Sequence, residues 1–274
     1  MSSPSRSFRV AAAVATLLAP AAAPVAVAQT DYYNTDAGRP VRVEDAYPVE
    51  RRAVELQLAP LRLERARGGV YRWGVEPEVA VGVLPRTQLE VGLPLAYVDL
   101  GGGRHRAGLA GVELSVLHNL NVETTIPALA VVADVLVPAG GLGPDRAYPT
   151  VKGIATKTFT WARFHVNGAY TLAPALPSEG EADAGAGELS RWEGGVAVDR
   201  TFPLRSLLVT GEVVSRQPLR RGEEVEWNAA GGFRYQLGPR VATDAGAGYR
   251  FTGDDRGWFL TVGAAVSVGL PWRR

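Results

Sequence analysis

Three histidines (His105, His118 and His165) and a series of charged residues spaced two apart are the groups in this sequence that could do chemistry. The chain has no cysteine, which excludes disulfides, thiolate metal sites and Cys nucleophiles together. His165 beside Asn167 is the one arrangement that suggests a hydrolase of the Ser–His type with a polar partner. No serine lies at a suggestive spacing from it, so a histidine held in an internal hydrogen-bond network is the plainer reading. The acidic stretch Ser178-Glu179-Gly180-Glu181-Ala182-Asp183, with Glu188, lacks the alternating spacing of a calcium loop and reads as solvated surface. Gly101-Gly102-Gly103 is a flexible turn, since no helix follows to hold a phosphate. No catalytic, cofactor-binding or metal-ligating residue is assigned, and no cofactor is implied.

The elements that must position these groups alternate with period two. Leu260, Val262, Ala264, Val266, Val268 and Leu270 share one face of the last segment, while Thr261, Gly263, Ala265, Ser267 and Gly269 share the other. One continuous apolar face opposite a small or polar one is what a strand between lipid and a wet lumen requires. The same alternation sets Val75, Val79 and Val81 against Glu76 and Glu78, Leu89 and Val91 against Glu90, and Val112 and Leu114 against Glu113. It puts Asp134 among the flanking Leu129–Val137 apolars, and Arg163, His165 and Asn167 opposite Phe164, Val166 and Tyr170. It likewise opposes Glu226 and Arg234 to Trp227 and Phe233. Glu193, Glu212, Asp244 and Arg250 complete the polar set. We therefore expect Glu76, Glu78, Glu90, Glu113, Asp134, Arg163, His165, Asn167, Glu212, Glu226, Arg234, Asp244 and Arg250 to face a lumen. Their mixed signs allow two readings, a selective pore lining or paired networks that support a closed lumen.

Strands are expected near 52–63, 70–83, 87–98, 107–118, 126–138, 150–158, 161–172, 191–199, 204–216, 224–236, 240–251 and 257–270. About twelve strands, joined by alternately short and long connections, describe an all-β, antiparallel up-and-down transmembrane barrel over 51–274. Aromatic residues near strand ends, such as Trp73, Trp161 and Trp258, fit interfacial girdles. No stretch beyond the N-terminus is apolar enough for a membrane helix. At the N-terminus, Arg6 and Arg9, the apolar run from Val10 and the small-x-small end Ala26-Val27-Ala28 read as a signal peptide over 1–28. Its removal would take the formal charge from +1 to −1, because Arg6 and Arg9 go with no acid. No basic patch suggests nucleic acid. Residues 29–50 are polar and read as a periplasmic lead-in, free to move, with plugging of the barrel mouth as the alternative.

Several stretches taken in order resemble the outer-membrane barrel family named after a protein of the meta-pathway of phenol degradation. They are Leu84-Pro85-Arg86-Thr87 through Leu93-Pro94-Leu95, Ala107-Gly108-Leu109-Ala110-Gly111-Val112-Glu113-Leu114, Pro127-Ala128-Leu129-Ala130 through Val137-Pro138-Ala139-Gly140, His165-Val166-Asn167-Gly168-Ala169-Tyr170-Thr171, and Asp254-Asp255 with Trp258. Together they span roughly 50–270. Asp134 departs from the family's usual cation, Ala110 from its usual glycine, and Arg273-Arg274 follow Trp272 where many outer-membrane chains end on an aromatic. The resemblance implies a small outer-membrane channel or transporter and, loosely, uptake of hydrophobic or aromatic molecules. It carries over no binding residues. The expected partners are outer-membrane lipids, the barrel-assembly machinery and a solute that the sequence does not identify. A structural barrel without transport and an outer-membrane lipid hydrolase are the alternatives.

Overall fold

The computed structural model describes residues 35, 38–65, 71–99, 103, 105–176, 189–253 and 256–269. The expected leader 1–28, the acidic loop 178–183 with Glu188, Gly101-Gly102, Asp254-Asp255 and Trp272 to Arg274 lie outside the described residues. The strands follow one another in sequence. The first five are β1 (Ala53–Arg65), β2 (Tyr71–Leu84), β3 (Thr87–Gly92), β4 (Leu95–Asp99) and β5 (His105–Leu109). The next five are β6 (Val112–Asn119), β7 (Ala128–Val137), β8 (Tyr148–Thr158), β9 (Arg163–Thr171) and β10 (Ser190–Thr201). The last four are β11 (Leu207–Pro218), β12 (Glu226–Gly238), β13 (Val241–Arg250) and β14 (Gly257–Gly269).

Each strand pairs antiparallel with its neighbour, and β1 pairs with both β2 and β14, which closes the sheet. Closure removes every strand edge but that of β5, and paired backbone is the condition for placing strands in hydrocarbon. The fourteen segments make twelve passes, because two passes are interrupted midway. The first interruption separates β3 from β4 at Leu93-Pro94, where proline has no N–H to offer the ladder. Register is kept across it: Glu78 faces Gly92, Leu93 N–H donates to Pro77 O at 3.0 Å, and Val75 faces Leu95. The second separates β5 from β6 at Ala110-Gly111, where Gly111 takes φ 116°. Opposite the three-residue step from Gly92 to Leu95, the chain takes four residues from Leu109 to Glu113, so one residue bulges. Beyond the bulge β5 pairs with β4 alone, and the 138–147 loop covers its other edge by donating Leu142 N–H to Leu109 O at 3.1 Å.

The outer face carries the apolar set read from the alternation. Val262 is 53% exposed, and Leu260, Val196 and Phe233 are exposed likewise. Connections at one end are short (85–86, 159–162, 202–206 and 239–240) apart from 120–127, whereas 138–147, 172–189 and 219–225 at the other end are long. The start of β1 and the end of β14 both lie at the short-turn end.

If this face meets lipid, Val262→Arg, midway along β14, should lower unfolding stability in bilayers by about 2–4 kcal/mol. The same change at Val268, near the strand end, should cost at most about 1 kcal/mol. Urea titration of the folded protein in vesicles, read by tryptophan fluorescence, checks the difference.

Candidate functional site in the barrel lumen

The segment 38–50, expected as a mobile lead-in, lies inside the lumen. Val41, Val43, Ala46 and Arg39 are each buried to 2% exposure or less. Such a segment has no ladder of its own, so its backbone polar groups need other partners. The inward side chains of the wall supply them. Val49 N–H donates to Gln88 Oε1 at 2.8 Å, next to the β2–β3 turn. Ala46 N–H donates to Thr156 Oγ1 at 3.0 Å, and Ala46 O accepts from Asn119 Nδ2 at 2.8 Å. Glu44 makes both bonds with one amide: its N–H donates to Asn167 Oδ1 and its O accepts from Nδ2, each at 2.9 Å. Arg42 and Val43 donate successive N–H groups to Glu212 Oε2, both at 2.8 Å. Pro40 O accepts from Thr261 Oγ1 at 3.0 Å. Read backwards from Val49, these contacts visit β3, β6, β8, β9, β11 and then β14, so the segment runs round the wall as a belt.

Side chains reinforce it. Arg39 donates to Asp244 Oδ2 at 3.0 Å and lies 4.0 Å from Glu55. Glu44 pairs with Lys152, which also faces Asp134 at 3.9 Å. Arg42 reaches Glu193 at 3.4 Å, and Tyr47 Oη donates to Glu123 at 3.0 Å in the β6–β7 turn. Ala46 packs on an apolar patch of the inner wall made by Leu117, Ala130, Val132 and Ile154. The wall also makes room. A Cβ on Gly195 would come within 2.6 Å of Val43, and one on Gly246 within 2.3 Å of Pro40 O.

Twelve of the thirteen residues expected in the lumen divide into three groups. Asn167, Glu212 and Asp244 hold the belt directly, and Arg163 faces Asp45 at 3.8 Å. Glu226, Arg234 and Arg250 belong to a network along the inner wall. There Glu226 accepts from Arg216 at 2.6 Å and pairs with Arg250 at 3.2 Å, Arg250 lies 3.6 Å from Glu64, and Arg234 lies 3.8 Å from Glu55. Glu76, Glu78 and Glu113 gather around Gly92, Glu90 accepts from Gln88 at 2.8 Å, and Asp134 faces Lys152. These last five make one side of the lumen predominantly acidic.

His165 occupies a more specific place. Thr156 Oγ already accepts the Ala46 N–H, so its own proton is free to donate to His165 Nδ1, 3.0 Å away. That leaves Nε2 to donate to Asp199 Oδ2 at 3.0 Å. Arg163 grips the same carboxylate with two bonds, of 2.8 and 3.0 Å. A hydroxyl, an imidazole and a carboxylate thus stand in line, with threonine where serine was sought. The hydroxyl is fully buried under Ala46, and His165 is 1% exposed, so this line pins the belt and offers no approach to an ester. Sequence reasoning missed Thr156, Asp199 and Lys152, although all three have inward parity on their strands. It also missed Arg39, Arg42, Glu44 and Asp45, for which no periodicity exists to read.

Between the belt and the long loops lies a cavity of about 410 Å³. Gly38 and Arg42 line it from the belt, Glu76, Glu113 and Lys152 from the wall, and Leu136 and Tyr148 are its inward apolar and aromatic side chains. Among the described residues no cluster of His, Cys, Asp or Glu could hold a metal ion.

No protein-family model matches the sequence, and a search of curated proteins finds no match. Solved structures do share the fold. An outer membrane channel from Pseudomonas putida F1 is 10% identical, with a TM-score of 0.57 over 85% of this chain and 99% of that one. The KdgM porin is 9% identical, with a TM-score of 0.52 over 78% of this chain and 98% of that one. The NanC porin is 10% identical, with a TM-score of 0.51 over the same shares. This chain is therefore similar in fold to twelve-stranded outer-membrane porins and channels.

Two predictions follow from the belt's attachments. Glu212→Ala should leave the Arg42 and Val43 N–H groups without an acceptor, at about 1–3 kcal/mol, and speed their hydrogen exchange, whereas Glu212→Gln should restore protection. Burial raises the Asp45 carboxyl to about 6 against the opposing pull of Arg163. A raised acid favours the seated belt at low pH, and this contribution, roughly 3 kcal/mol, is lost as pH rises through about 6. Exchange at the belt amides should therefore be faster at pH 7.5 than extrapolation from pH 4.5 gives, and Asp45→Asn should remove the excess.

Proposed function

We propose that the chain is an outer-membrane channel through which small molecules pass passively, and that its own residues 38–50 narrow the passage. The observation that carries the reading is a closed barrel whose lumen holds a cavity on the long-loop side of a belt. Porins and a channel are among the structures that share this fold, which supports a conducting role. The short turns belong on the periplasmic side, as in other such barrels. Residues 1–28 would direct export, and outer-membrane lipids and the barrel-assembly machinery would be the partners during and after insertion.

Hydrophobic or aromatic solutes are the favoured cargo. The cavity offers the inward side chains of Leu136 and Tyr148, and the sequence resembles the phenol meta-pathway barrels in several ordered stretches. Glu76, Glu113 and Lys152 in the same cavity would then orient a solute that carries one polar group. A second reading, a barrel that conducts nothing, has its own support: the belt's backbone is held at six points round the wall. The hydrolase alternative has little, because Thr156 is capped and buried.

Proteoliposomes carrying the full chain test the first reading against the second. Swelling in small phenols and benzyl alcohols, faster than in sugars of similar size, is the expected result. No swelling in any solute, together with no conductance steps in a planar bilayer, would establish the non-conducting barrel.

A further inference from the structure

The turns at the short-turn end have a composition that neither strand alternation nor the lumen explains. Leu84-Pro85-Arg86, Phe202-Pro203-Leu204-Arg205 and Leu237-Gly238-Pro239-Arg240 each join a large apolar residue, a proline and an arginine within four residues. The apolar side chains of these turns are among the most exposed on the molecule, with Phe202 and Leu237 both at 62%. The other two turns at this end expose Val122 and Ile126, and Phe159 and Trp161, the last packed edge-on against Phe164 at 5.1 Å. Large apolar groups at the tips of turns are unfavourable in water and settle at the level where headgroups meet acyl chains.

The charge of the same rim is mainly positive, with Glu50, exposed beside Arg51, and Glu123 as acids there. Arg51 and Arg52 stand at the start of β1, and Arg86, Arg205 and Arg240 in the turns. Arg200, last but one in β10, is exposed on the face of Val196 and Val198 beside the rim, where a long cationic side chain can snorkel. Among the described residues none of Arg52, Arg86, Arg200, Arg205 and Arg240 pairs with a carboxylate. The nearby Glu123 is already engaged, accepting from Thr158 and pairing with Lys157 at 3.1 Å. A guanidinium without an acid, beside a side chain that belongs among acyl chains, matches a lipid phosphate in both charge and depth.

We infer that the short-turn rim is a collar for anionic phospholipid headgroups, with apolar turn residues anchored among acyl chains and the neighbouring arginines bound to the phosphates. The inference rests on reading the barrel as membrane-spanning. It assigns the short-turn end to the leaflet that contains anionic phospholipid, and it makes the lipid a specific partner of that end.

Native mass spectrometry of the full chain, purified in mild detergent and offered equal phosphatidylglycerol and phosphatidylethanolamine, tests it. The protein should retain phosphatidylglycerol in preference. The combined Arg86→Gln, Arg205→Gln and Arg240→Gln variant should lose that retention by more than about tenfold, since about 1 kcal/mol for each cation near an anionic surface compounds over the three. Its heat-modifiable mobility should stay unchanged, and Arg205→Gln alone should give an intermediate loss. Equal retention of the two lipids by the unaltered protein, or unchanged phosphatidylglycerol in the variants, would overturn the collar. Failure of the unaltered protein to insert into vesicles of either lipid would instead overturn the membrane-spanning reading beneath it.

Discussion

A backbone N–H or C=O that faces hydrocarbon has no water to bond, and this constraint organises the whole molecule. It requires β1 to pair with β14, since a sheet left open there would present two unpaired edges to lipid. It limits where the chain can tolerate proline: at Pro94 the strand is interrupted, yet Leu93 and Leu95 on either side keep the register with β2. It also explains the bulge at Ala110-Gly111, where Ala110 N–H still donates to Pro94 O at 2.7 Å and only one residue is displaced. The outer face then follows from lipid and the inner face from whatever fills the lumen.

What fills the short-turn side of the lumen is the chain itself, under the same rule applied to a buried segment without a ladder. Glu212, Asn167, Thr156, Asn119, Gln88 and Thr261 each give the belt a bond that a neighbouring strand would otherwise provide. Their charges and amides are therefore spent mainly on the belt and not on a passing solute. The carboxylates that remain around Gly92, with Lys152 beside them, meet the cavity on the far side of the belt. The lumen thus holds a cavity with an acidic wall on the long-loop side and residues 38–50 on the short-turn side.

Much of the wall was legible in the sequence, because lipid imposes period two on one face of every strand. The expected strand over 224–236 forms over 226–238, and the one over 257–270 over 257–269. Even 150–158, where glycine and lysine blur the alternation, forms a strand over 148–158. Lys152 keeps inward parity and pairs with Glu44 of the belt, whereas Ile154 departs from the pattern as an apolar side chain turned inward, where it packs on Ala46. The two interruptions carried their own signals, proline at 94 and glycine at 111, but the alternation reads straight through both. The belt was not legible. Its backbone is held by side chains from across the chain, and a segment bonded to its surroundings in that way has no period of its own. For the same reason the roles of Thr156 and Asp199 beside His165 needed the fold before they could be read.

The claim that residues 38–50 set the width of the lumen is tested most directly by single-channel conductance in planar bilayers, comparing the full chain with a variant lacking residues 38–47. The account predicts a marked rise in unitary conductance for the shortened chain, with barrel folding unchanged by heat-modifiable mobility. Equal conductance in the two, with both folded, would contradict it.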